Sequence, residues 1–160
     1  MIDQKTFEKN IIEAGKSLDK NNFNFDINYQ TLLITNSVSK VAILVKRNNE
    51  DMEHPAILSE LNNLKVYSYQ LFAGMLNINN LEENDKKEVF NDLYQTFSDQ
   101  SFVDETVNAI YNGDKIEAIN ALLMTVMSQL AEVKDENDYM QAISNYFSLH
   151  LVIKNILKQK

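Results

Sequence analysis

Apolar residues recur along almost the whole chain at spacings of three and four. That is the period of an α-helix, and it limits the fold more than any other feature. Residues 4–19 set Phe7, Ile11, Ala14 and Leu18 on one face, with Ile12 beside them, Asp3 in the N-cap position and Asn21-Asn22 as the stop. Behind Pro55, the one proline and suited to a helix's first turn, Ile57, Leu61, Leu64, Ser68, Leu71 and Met75 repeat, with Leu58, Phe72 and Leu76 widening the stripe. Gly74 near its end marks close packing or fraying. Asp85 and Glu88 open a helix that buries Val89, Phe90, Leu93, Tyr94 and Phe97, and a short helix runs from Ser101 to Tyr111. Gly113 stops it, and Asp114 with Glu117 starts the next, in which Ile116, Ile119, Leu123, Val126, Leu130 and Val133 share a face. Since Ala118, Ala121, Leu122, Met124 and Met127 cover much of the remaining circumference, this helix is expected to be central. After Asp135 to Asp138, Tyr139, Ile143, Tyr146, His150, Ile153 and Leu157 make a last stripe.

Residues 23–46 allow two readings. Phe23, Phe25, Ile27 and Tyr29 alternate with polar residues as in a strand, and Asn36 to Ser39 suits the turn of a small β-hairpin. Ile34, Val38, Val41 and Val45 instead fit a helix over about 30–46, which agrees better with the helical surroundings. The fold class expected is mainly α: a compact antiparallel bundle of six or seven helices in a single domain, 1–160. Polar residues 77–84 form a joint that would divide 1–78 from 85–160.

Composition removes several function classes. There is no Cys, so disulfides, thiol nucleophiles and Cys-based zinc sites are excluded, and only His54 and His150 supply imidazole. Three scattered Gly build neither GxGxxG nor a P-loop, and no cofactor is expected. With 15 basic and 23 acidic residues the net charge is −8, and Arg47 is the lone arginine, which disfavours direct nucleic-acid binding. No apolar run approaches the ~20 residues of a membrane span, and the N-terminus lacks a signal-peptide pattern, so a cytoplasmic protein is expected. The many Asn, Ile and Lys, with their AT-rich codons, suit a bacterial or phage source.

Acids gather at the connections: Glu50, Asp51 and Glu53 before His54, then Glu82, Glu83 and Asp85, then Glu132, Asp135, Glu136 and Asp138. Glu50 with Glu53 and Glu82 with Asp85 resemble the ExxE and ExxD pairs of helical nucleotide pyrophosphohydrolases. The resemblance implies carboxylates projecting from two helices to hold Mg²⁺. His54 among its acids reads as a metal or general-base histidine, or simply as a residue preceding a helix; His150 reads as a core or interface histidine. Ala109 to Asp114, with Glu117-Ala118-Ile119 and Ala121-Leu122, is similar to the turn of a tetratricopeptide hairpin, but no second copy follows at that family's period.

Tyr67 and Tyr69 stand two apart and cannot share a helix face, so one should point outward as a contact residue. With few catalytic residue types and much acid, the function expected is a non-enzymatic protein-binding module. It would be an inhibitor or immunity-type protein that sequesters a basic partner through Tyr67, Tyr69, Glu50, Asp51, Glu53, Glu82 and Glu83. The alternatives are an Mg²⁺-dependent nucleotide pyrophosphohydrolase using Glu50, Glu53, Glu82 and Asp85, and an oligomeric structural subunit, for instance a homodimer joined along the Ile57 to Met75 stripe.

Overall fold

The three-and-four spacing becomes helix almost everywhere in the computed structural model, which describes residues 3–20, 25–48, 51, 53–97, 100–132 and 149–159. The elements are α1 (Gln4–Lys20), α2 (Ile27–Arg47), α3 (Pro55–Met75), a 3-10 turn (Ile78–Asn80), α4 (Glu83–Phe97), α5 (Gln100–Ile110) and α6 (Lys115–Ala131). Residues 149–158 are helical and are labelled α7. No strand occurs among the described residues. The fold is a compact, mainly α bundle, as the spacing predicts.

Residues 27–47 form one helix, and the alternative hairpin does not form. Ile34, Val38, Val41 and Val45 are buried along a single stripe against α3, and that burial outweighs the strand preference of their branched side chains. Asp26 ends the strand-like alternation: its carboxylate accepts from the Asn28 and Tyr29 amides at 2.8 and 3.2 Å and starts the helix. Two buried polar groups pin α2 to α3. Gln30 Nε2 donates to the Tyr67 carbonyl at 2.9 Å and to Gln70 Oε1 at 3.2 Å, and Ser37 Oγ donates to Glu60 Oε1 at 2.7 Å. Later residues of α2 thus meet earlier residues of α3, so the pair is antiparallel.

Two apolar clusters fill the bundle. In the first, the α2 stripe and Ile57, Leu64 and Leu71 of α3 pack with Val103 and Val107 of α5, Ala118, Ile119, Leu122 and Val126 of α6, and Leu149, Val152, Ile153, Ile156 and Leu157 of α7. In the second, Phe7, Ile11, Ala14 and Leu18 of α1 pack with Tyr69, Phe72 and Ala73 of α3, Ile78, and Phe90 and Leu93 of α4. Both clusters draw on residues before and after the polar stretch 77–84, within which Ile78 itself is buried.

Among the described residues the central helix is α3, not α6, since α3 contributes to both clusters. Within the α3 stripe from Ile57 to Met75, Ile57, Leu64, Ser68 and Leu71 are buried inside the chain, Leu61 and Met75 are half-buried, and Leu58, which widens it, is exposed. Of the additional apolar residues of α6, Ala118 and Leu122 are buried, whereas Met124 is 72% exposed and Met127 46%.

Local signals land close to their predicted positions. Asp3 Oδ1 accepts from the Thr6 amide at 2.9 Å, and Asp114 Oδ1 from the Glu117 amide at 2.9 Å. Gly113 has φ 107°, a value that favours glycine. The fourth helix begins at Glu83, two residues before the predicted Asp85, and carries both acids in its first turn, where they suit the helix dipole. Gly74 serves close packing: a Cβ there would collide with the Phe25 ring. Asn21, Asn22, Phe23, Val133, Asp135, Glu136, Asp138, Tyr139, Ile143 and Tyr146 lie outside the described residues.

Candidate protein-binding surface

The two tyrosines serve opposite sides of α3. Tyr69 is only 4% exposed, and its ring meets Phe7 edge-on at 6.1 Å between centroids. Burial pushes its phenol above the ordinary tyrosine range, partly offset by a hydrogen bond with Asn10. Tyr67 is half-buried against the first cluster. Neither side chain stands out in solvent, because α3 has apolar neighbours on two sides; the two-residue spacing separates clusters rather than core from surface.

The acidic connections are solvated. Asp51 and Glu53 are exposed, and Asp51 Oδ1 accepts from the Glu53 amide at 3.2 Å. Glu82, Glu83 and Asp85 are exposed at the start of α4, and Glu83 pairs with Lys86 at 3.3 Å. Glu50 lies outside the described residues. Among the described residues no group of three His, Asp or Glu could hold a metal ion.

His54 has a structural task. It is the N-cap of α3, its Nδ1 accepting from the Ala56 amide at 3.2 Å, which requires a neutral ring protonated on Nε2. His150 is half-buried on α7, beside the buried Leu149 and Val152.

A different surface stands out where α2 packs beside α6. Leu32, Asn36, Ser39 and Ile43 follow one another along the outer side of α2, and Leu32 is 65% exposed and Ile43 49%. A groove of about 400 Å³ runs between the helices. From α2 it is lined by Ser39, Ala42, Ile43, Lys46 and Arg47, and from α6 by Ile116 and Asn120. The exposed Met124 and Met127 continue the α6 side, since both lie within a helical turn or two of Asn120. Methionine is a common residue of adaptable binding surfaces.

The charge of this surface is unlike that of the chain as a whole. Helix α2 contains no Asp or Glu in 21 residues and carries Lys40, Lys46 and Arg47. None of the described residues lining the groove is acidic. Among the described residues neither Lys46 nor Arg47 has an ion-pair partner.

Sequence reasoning named acids and tyrosines and missed this surface. The signals were present: Leu32 and Ile43 stand eleven apart, three helical turns, and opposite the buried stripe. No family model matches the chain, and no curated protein or solved structure shows a significant match to it.

Proposed function

We propose that this protein acts by binding another protein, and that the α2–α6 surface is where it does so. The observation that carries the reading is the set of large apolar side chains, Leu32, Ile43, Met124 and Met127, held in solvent on two adjoining helices. Single exposed apolar residues are ordinary, whereas several on one surface beside a groove are typical of interaction sites. The binding role is the one expected from the sequence, but the contact residues differ. Sequestration of a basic partner is the reading that the overall charge of −8 favours, whereas α2 on this surface carries Lys40, Lys46 and Arg47 and no acid.

Affinity capture from a lysate of the encoding organism tests the reading when run in parallel on variants. Ile43→Ser with Met124→Ser should lose the captured partner, while Glu53→Gln with Glu82→Gln and Glu83→Gln should keep it. Capture that survives the first pair and fails with the second set would move the site to the acidic connections and refute the proposal.

A further inference from the structure

We infer that the occupant of the α2–α6 groove is an amphipathic helix carrying acidic residues at the end that meets Lys46 and Arg47. This rests on the binding surface proposed above and adds the chemistry of the partner. Three observations point to it. The groove is a shallow, open depression between two adjoining helices, a setting into which the side-chain ridge of a third helix can pack. Its apolar part is supplied by Ile43 and Ile116, flanked by exposed Met124 and Met127, which suits anchors at i, i+3 or i+4, and i+7. Its charged part is wholly cationic among the described residues, in a chain of net charge −8. Both cations are without an ion-pair partner there and are exposed, so a carboxylate can reach them at little desolvation cost.

The charge also bears on other occupants. A second copy would bring another molecule of net charge −8 toward a surface whose local cations are few, and repulsion elsewhere opposes it. An anionic membrane is matched by clusters of roughly four to eight basic residues, whereas the cations lining the groove are Lys46 and Arg47 alone.

The test is selection from a displayed library of helix-biased 16-residue peptides against the full chain, with affinities of enriched peptides measured by fluorescence anisotropy. Enriched peptides should carry helical apolar spacing with Asp or Glu clustered at one end, and Ile43→Ser should abolish their binding. Lys46→Glu with Arg47→Glu should weaken them about tenfold, from two partly exposed pairs turned repulsive, and raising salt from about 0.05 to 0.5 M should weaken them too. The substituted side chains are exposed or groove-lining, and circular dichroism should show unchanged helix content.

Enriched peptides that are neutral or basic, yet still depend on Ile43, would overturn this inference and leave the binding surface standing. Absence of any Ile43-dependent peptide would overturn both. Ile43-dependent binding to phosphatidylglycerol vesicles without peptide enrichment, or an Ile43-dependent dimer by light scattering, would replace the inferred occupant with a membrane or a second copy.

Discussion

Gly74→Ala is expected to destabilise the protein, against the usual direction for a helical glycine. Gly74 lies one residue from the end of α3, where alanine would ordinarily stabilise by up to ~1 kcal/mol. Here the Phe25 ring, in the extended segment before α2, occupies the space a Cβ needs. Three ring atoms, Cγ, Cδ2 and Cε2, would be overlapped, so rotating the ring tip aside does not suffice and the whole ring must move. Overpacking costs about 1–3 kcal/mol, and overlap with the base of the ring argues for the upper half of that range. The net loss is then about 1–2 kcal/mol, a fall in Tm of about 2–8 °C for a chain of this length. In a Phe25→Ala background the obstruction is gone, and adding Gly74→Ala should stabilise by up to ~1 kcal/mol. Urea denaturation of the four proteins gives the coupling energy, about 2–3 kcal/mol. A higher midpoint for Gly74→Ala in the native background, or equal shifts in both backgrounds, would refute the close-packing argument.

Other perturbations follow from named contacts. His54→Ala should cost about 0.5–2 kcal/mol by urea denaturation through loss of the α3 cap, and His54→Asp should recover most of it, an outcome a catalytic or metal role does not require. Gln30→Leu should cost about 1–3 kcal/mol by the same measurement, since Gln70 Oε1 and the Tyr67 carbonyl each lose a donor at a part-buried site. Because the folded Tyr69 phenol ionises above its ordinary range of about 10, the unfolded chain releases its proton first, and stability should fall as pH rises from about 10 toward the folded value. Tyr69→Phe should remove a tyrosine transition above about pH 10 from an ultraviolet titration and lessen that fall. At Asp3, hydrogen bonds from the Thr6 amide and hydroxyl hold the carboxyl below its usual range, so its support for α1 is present above about pH 4 and is lost as pH falls through the lowered value; Thr6 amide exchange should report that loss, and Asp3→Ala should abolish the pH dependence.

The legible part of this fold was local. The spacing of Phe7, Ile11, Ala14 and Leu18 and the caps at Asp3 and Asp114 were readable because each depends on a few neighbouring residues. Which helix lies at the centre was not. Helix α6 has apolar residues around most of its circumference and still leaves Met124 in water, whereas α3 carries polar residues yet meets a cluster on each side. Periodicity finds an apolar face but cannot count how many neighbours will cover it. Tyr67 and Tyr69 were misjudged for that reason, each finding a partner on its own side of α3. His54 was unreadable as a cap because its imidazole does what Ser or Asp ordinarily does at that position. The candidate surface escaped notice because whole-chain charge hides a local reversal of sign.

The two-sided burial of α3 has a consequence for how the molecule opens. Residues such as Leu64 and Phe72 sit on one helix yet belong to different clusters, and half-buried Phe25 and Met75 border both. Separating α1 and α4 from the bundle strips one flank of α3, and separating α2 and α6 strips the other. Opening either flank therefore exposes part of the same helix. Amides in the middle of α3 should be the slowest in the chain to exchange with deuterium, opening only with the global transition, while α1 and α6 each exchange through a smaller opening of their own.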